Sequence, residues 1–471
     1  MNGRFVLKCV VVCTVSALAL AASASAQWSG SIVVTNAVEP GPNGQNIGGV
    51  TAARCGNNVV VGFGDFEKGI TNSTAGYAAS SDGGLTFHDL GVLPASTEDA
   101  GFGPKDALGD FGAQRPVDHE VSLACAGPRL FYYATLDLAD QAVQNCDPLC
   151  SAISVSISRD GGVTWGQPVL AATSFFDTHF LDKPSIAADP TSPRVYVAYL
   201  DDNFTTPSDF IFPECDNSQG VVELRLARST DAGKTWTTGV VDHACASSTN
   251  AETQGTFGGP NVMVSPGGKV YLTYEFHPQT SPNPSLPNEI RFTRSVNQGQ
   301  TFSTPLIVSK TAIDHAVPHL AVDRTNTTSR GRIYLAWAGS QSGTYTDILI
   351  SDSTSFGTSF SFPRPLNPPP AAGTGRFETE SVLSVDNDGQ VAACYYETPT
   401  NSPTSSSAYS YNCKLSFNHA ATWQPQRVLS SVPVGYDALT SDFLLSADGF
   451  FTAFELDHRT RWVVGRKADA N

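Results

Sequence analysis

An eight-residue segment, Ser158-Arg159-Asp160-Gly161-Gly162-Val163-Thr164-Trp165, recurs along almost the whole chain and constrains the fold more tightly than any other feature. Further copies run over 80–87, 229–236 and 295–302, each with Ser first, Asp or Asn third, Gly fifth, Thr seventh and an aromatic last. Two more are worn: 416–423 carries Asn418 and Ala420, and 351–360 reads as a copy with an insertion, keeping Ser351, Gly357 and Ser359-Phe360. Such a segment is a hairpin turn. The carboxylate or amide accepts backbone N–H bonds across the turn, glycine takes the left-handed position, and the aromatic packs inward. One Asp-Gly-Gly turn carries little information, but six copies spaced 56 to 78 residues apart predict a repeat architecture.

A second segment, a turn followed by a β-branched and aromatic run, recurs ahead of the boxes. Its copies begin at Asn57, Pro128, Pro193, Gly268, Gly331, Gly389 and Gly449, which makes seven against six boxes. After the seventh only one strand, Arg461 to Lys467, remains before the chain ends. Its missing outer strand is expected from Ser31 to Thr35, which otherwise has no partner, and closing the ring this way removes an exposed edge. The expectation is an all-β, seven-bladed β-propeller of four-stranded antiparallel blades, closed by the N-terminal strand. A radial repeat absorbs the length, so 27–471 reads as a single domain.

The box resembles the Asp-box, or BNR, repeat of the sialidase-like superfamily, over roughly residues 47 to 467. That resemblance offers a six-bladed sialidase-type ring as the alternative. It also implies that the boxes lie on the face opposite the ligand site, so that Asp82, Asp160, Asp231, Asn297 and Asn418 are structural. Sialidases hold the substrate carboxylate with three arginines, the first in an Arg-Ile-Pro motif ahead of the first box. Here no Arg-Ile-Pro exists, and the nearest echo, Arg115-Pro116, follows the first box. The sialidase catalytic residues are therefore not carried over.

Arg4 and Lys8, an apolar run from about Cys9 to Ala22, and Ala24-Ser25-Ala26 read as a signal peptide over 1–26. The expected location is outside the cytoplasm, extracellular or periplasmic. No later apolar run reaches membrane-spanning length, so no membrane insertion is expected. The net charge is −16, and the leader contains basic residues but no acid. Such a surface repels nucleic acid and anionic lipid. Cysteines beyond the leader are even in number and suit an oxidising compartment. The expected pairs are Cys55 with Cys125, Cys146 with Cys150, Cys215 with Cys245, and Cys394 with Cys413. Zinc at Cys146-x-x-x-Cys150 is the competing reading, and it lacks a second ligand pair nearby.

Short turns join the first and second strands of each unit on the box face, so the long connections fall on the other face, where binding sites gather. Six of the seven second strands end there in an acid: Asp65, Asp137, Asp201 with Asp202, Glu275, Glu397 and Asp457. The approaches to the inner strands add Asp118-His119-Glu120, Asp182-Lys183, Asp314-His315, Glu378 with Glu380, and Tyr436-Asp437. Paired carboxylates across a cleft suit glycoside hydrolysis. Asp118, His119, Glu120, Asp182 and Glu380 are the catalytic candidates. Arg115, Lys183, His315, His319, Arg376 and Tyr436 are the candidates for holding substrate. The bland reading is that these acids cap loop backbone or bind calcium, and no cofactor is required.

Three functions compete. The first is a monomeric, carbohydrate-directed propeller acting on an extracellular glycan as a hydrolase. The second is a scaffold that binds glycan or protein, using loop aromatics such as Phe175, Phe204 and Phe210. The third is a polysaccharide lyase using His119, His315 and Tyr436, against which the acidic rim argues. No Gly-x-Ser-x-Gly elbow is present, so a serine hydrolase triad is not proposed.

Overall fold

The computed structural model describes residues 27–28, 32–34, 47–65, 74–94, 121–139, 150–175, 178–203, 212–215, 220–248, 250, 252–265, 267–278, 287–313, 316–325, 329–341, 343–386, 388–404, 407–430, 441–446, 449–456 and 459–466. The leader expected over 1–26 lies outside them. The second strands are buried on both sides: Phe131 to Ala134, Val195 to Ala198, Val270 to Leu272 and Ile333 to Ala338 are inaccessible to solvent. A continuous apolar run of this length, rich in Val, Ile and Tyr, forms a strand with a neighbouring sheet on each face.

Among the described residues the strands form six hydrogen-bonded sheets. Four are antiparallel meanders of four strands, spanning 47–92, 121–175, 179–245 and 377–430. A nine-stranded sheet spans 255–365, and the last combines 441–466 with the N-terminal strands. Six sheets, not seven, correct the expected blade count toward the alternative. The cause is local. Within 255–365 two successive meanders are fused by one backbone pair, Ala312 opposite Gly339. The outer strand of the 441–466 sheet does come from the N-terminal segment, with Ile32 opposite Trp462, Val33 opposite Arg461 and Gln27 opposite Arg466. The innermost strands touch their neighbours in order, and Ser441–Ser446 touches Ile47–Cys55, which closes the ring of a β-propeller. Apolar clusters fill the space between successive sheets, as where Tyr132, Ile153 and Val155 meet Leu181, Val197 and Tyr199.

A recurring hydrogen bond ties the inner strands together. Thr51 Oγ1 accepts the Leu123 N–H at 3.0 Å, Ser122 Oγ that of Ile186 at 3.1 Å, and Ser185 Oγ that of Val262 at 3.1 Å. Asn261 Oδ1 then accepts from Leu320 at 3.0 Å, and His319 Nδ1 from Leu383 at 3.2 Å. Each acceptor belongs to one unit and each donor to the next.

The boxes are turns as expected. Asp160 Oδ1 accepts from Val163 and Thr164 N–H at 3.2 and 3.0 Å, Oδ2 accepts from the Thr164 hydroxyl, and Ser158 Oγ accepts from Gly162. Asp82 and Asp231 repeat the pattern. Asn297 and Asn418 keep it without charge, each donating Nδ2–H to a threonine hydroxyl at 2.8 Å. The worn copy contains no insertion: Ser353 accepts from Gly357 and Ser355 from Ser359, so the box is 353–360. The boxes meet the short turns at the same end, with Gly161 N–H bonded to Arg129 O and Ala232 N–H to Pro193 O. Gly162, at φ 91°, lies so close to Val60 of the preceding sheet that a Cβ would stand 2.0 Å from its Cγ2. Trp165 packs edge-on against Tyr77 of that sheet, at 5.8 Å between ring centres.

Three of the expected disulfides are formed: Cys55–Cys125 between two inner strands, Cys215–Cys245, and Cys394–Cys413 across paired strands. Cys146 lies outside the described residues. Among the described residues no helix is long and apolar enough to cross a membrane.

Because Asn already serves in two boxes, Asp160→Asn is expected to leave urea unfolding close to that of the parent. Asp160→Ala, which removes the acceptor for Ser158, Val163 and Thr164, should lose about 1–3 kcal/mol.

Candidate functional site

Three inner strands break register just ahead of the position that carries the cross-sheet acceptor in Thr51 and Ser185. The breaks fall between Gly48 and Thr51, Asp182 and Ser185, and Thr379 and Val382. Lys183 and Glu380 sit in these breaks at φ 54° and 49°, and Val317 at φ 43° precedes His319. Left-handed backbone at non-glycine residues is strained, and such strain concentrates where a bulge re-aims side chains.

The break in the 179–245 sheet assembles a charged corner. Asp182 lies opposite Leu200, which puts it on the same face as Asp202, two residues further along that strand. The Asp182 carboxylate accepts the Lys183 N–H at 2.9 Å and lies 3.7 Å from Lys183 Nζ. Burial first, and then the Asp182 and Asp201 carboxylates, push the Asp202 carboxyl up to about 6, against the pull of Lys183. The next unit completes the corner through two glycines. A Cβ on Gly259 would stand 3.2 Å from the Lys183 side chain, and one on Gly258 would stand 3.0 Å from Glu275 Oε2 and 3.3 Å from His277 Nε2. Glu275 and His277 lie 3.4 Å apart, and Glu275 also accepts the Ala316 N–H.

Other expected residues are placed differently. Arg376, a candidate for holding substrate, is enclosed in the wall between two units. It pairs with Asp347, donates to Pro368 O at 2.7 Å and places Nε 3.1 Å from Glu378. Burial pushes Glu378 up to about 7 despite Arg376 and hydrogen bonds from Ile348 N–H and Asn367. Glu380 follows in the same strand, and the 255–365 sheet separates it from Asp182 along the ring. His319 has its Nδ1 occupied by Leu383 N–H, and burial pulls its pKa down to about 4. Its Nδ1 therefore serves as a neutral acceptor within the ring. Asp118, His119, Glu120, Arg115, His315 and Tyr436 lie outside the described residues.

The sequence reading missed His179, Glu223, Arg225 and His277. His179 Nδ1 bonds Asp201 at 2.7 Å, and Arg225 bridges Asp201 and Glu223. The only advance signal was the i, i+2 spacing of Glu223 and Arg225, which places both on one strand face.

Comparison with known proteins finds distant structural likenesses only. No family model matches the chain. No curated protein matches it either. Among solved structures the chain is similar to the Penicillium chrysogenum alpha-L-arabinanase complexed with arabinobiose, at 11% identity and a TM-score of 0.48, over 94% of this chain and 99% of that one. It is also similar to the Hadza microbial sialidase Hz136, at 13% and 0.46, over 84% and 74%. The Trypanosoma rangeli sialidase in complex with sialic acid follows at 11% and 0.44, over 94% and 59%. At such identities and TM-scores the likenesses carry no inference about activity.

The His319 bond has a pH signature. Its folded pKa lies below the ordinary 6.5, so between pH 6.5 and about 4 the unfolded chain binds the extra proton and stability falls as pH drops. His319→Asn, which keeps an acceptor as Asn261 does, should reduce that fall. Urea unfolding of the variant and parent at pH 7 and at pH 4.5 would show the two curves converging in the acid.

Proposed function

We propose that the chain is an exported, carbohydrate-directed propeller that hydrolyses a glycosidic bond at the Asp182–Asp202 corner. The observation that carries the reading is the Asp202 carboxyl, held near 6 by burial and by the adjacent Asp182 carboxylate. A carboxyl that keeps its proton near neutrality can protonate a leaving oxygen, while the partner carboxylate serves as base or nucleophile. Asp118, His119 and Glu120 precede Val121–Gly127, whose Ser122 is hydrogen-bonded to the strand carrying Asp182, and they are proposed as the facing groups.

A neutral or cationic glycan is the substrate class that fits. Among the described residues, Arg376 is paired with Asp347 and Glu378, Arg225 with Asp201 and Glu223, and Arg291 with Glu289 and Asp242. An anionic sugar would meet excess carboxylate there. The leader-like N-terminus, the box repeats read as BNR repeats, and the disulfides support an extracellular or periplasmic setting.

Reducing-end release from a panel of neutral and aminated polysaccharides tests this. Asp202→Asn and Asp182→Asn should each lower kcat roughly 10²-fold or more. The wild-type kcat/KM should fall as pH rises past about 6, where Asp202 loses its proton. No release from any polymer, or full activity in Asp202→Asn, would remove the proposal.

A further inference from the structure

We infer that the groove between the 121–175 and 179–245 sheets is a binding site for a neutral sugar, separate from the Asp182–Asp202 corner and independent of any hydrolysis there. The groove encloses about 380 Å³. That is within the range of small-molecule pockets, roughly 300–1,000 Å³. One wall is the outer strand Val169–Phe175, which is bulged between Leu170 and Ala172. The other carries Tyr199, Asp201, Arg225 and Trp236.

Strand alternation decides which acid faces which space. Asp202 faces the 255–365 sheet with Leu200, and Asp201 faces the groove with Tyr199. Both Asp201 oxygens are engaged, one by His179 Nδ1 at 2.7 Å and the other by Arg225 Nη1 at 3.2 Å. With Nδ1 assigned as the donor to this carboxylate, His179 Nε2 is left as an acceptor. Arg225 Nε is buried without a hydrogen-bond partner. That atom is closed to solvent, but the Arg225 side chain is a quarter exposed and lines the groove, where its guanidinium offers a donor. One acceptor and one donor side by side match a sugar hydroxyl, which both gives and takes a hydrogen bond.

Trp236 supplies the apolar counterpart. Its indole N–H donates to Gly233 O at 3.1 Å, which fixes the ring, and aromatic faces suit the C–H face of a sugar. Charge selects against anions. Asp201 and Glu223 outnumber the single guanidinium of Arg225, so a uronate or sialate would meet net negative charge.

The test is titration calorimetry and tryptophan fluorescence with D-glucose, D-galactose, D-xylose and L-arabinose, and with D-glucuronate as the anionic counterpart. At least one neutral sugar should bind with a Kd of about 1 mM, a typical weak-ligand affinity, and D-glucuronate should bind at least tenfold more weakly. Thr238→Trp, at the exposed rim, should weaken the binding at least tenfold with the melting temperature unchanged, and Thr173→Trp on the facing wall should do the same. Asp202→Asn should retain binding, which separates this site from the catalytic reading. No saturable binding by any neutral sugar below about 50 mM, binding unaffected by both rim variants, or D-glucuronate as the preferred ligand would overturn the inference.

Discussion

The hydrogen bond from an inner strand to a side chain of its neighbour, made at five places among the described residues, is the constraint on which the ring depends. Inner strands of successive sheets converge on the axis without pairing to each other through their backbones, so the N–H groups along their facing edges need another acceptor. Buried backbone donors without partners are too costly to leave in a native structure. Thr51, Ser122, Ser185, Asn261 and His319 each meet one such donor. Each bond contributes about 1 kcal/mol by itself. Their repetition fixes how far one sheet rotates relative to the next.

The same device positions the charged corner. Ser185 takes its cross-sheet bond only because the strand has slipped register after Asp182, and that slip forces Lys183 into left-handed backbone. The segment from Asp182 to Ser185 is therefore part of the stitching and of the site at once. Strain at Lys183 is held in place by the bonds on its C-terminal side, which is the usual condition for strain to persist at a functional position. Glu380 repeats the slip elsewhere in the ring, but the residue at the acceptor position there is Val382, which has no side-chain acceptor.

Much of this architecture was legible in the sequence, and what was hidden has physical reasons. Seven apolar runs flanked by turns gave the strands, and counting strands after the seventh run pointed to Ile32 and Val33 as the closing pieces. The merging of two units through Ala312 and Gly339 was not legible, because a single backbone pair leaves no side-chain pattern. The cross-sheet bonds escaped notice because hydroxyl, amide and imidazole perform one task with different chemistry. The sequence around His319 likewise does not announce its bond to Leu383. Arg376 looked available because nothing in its sequence neighbourhood announces Asp347, which comes from the preceding unit. The worn box was misjudged because serine at 355 does the work of a carboxylate, and only the hydrogen bonds show it.

Adjacent acids on one strand show how a period of two divides labour. Asp201 and Asp202 are neighbours in sequence, yet the pleat sends them to opposite faces and so to different inter-sheet spaces. Asp201 is paired where it stands, one oxygen with His179 and the other with Arg225. At Asp202, among the described residues, Lys183, shared with Asp182, opposes the burial that raises the pKa. The same strand thus provides a carboxylate tied to His179 and Arg225 on one side and a carboxyl poised to exchange a proton on the other. Since each inter-sheet space is lined by alternate residues of two different sheets, a substitution that reshapes the groove at Thr238 or Thr173 touches no residue of the Asp182–Asp202 corner.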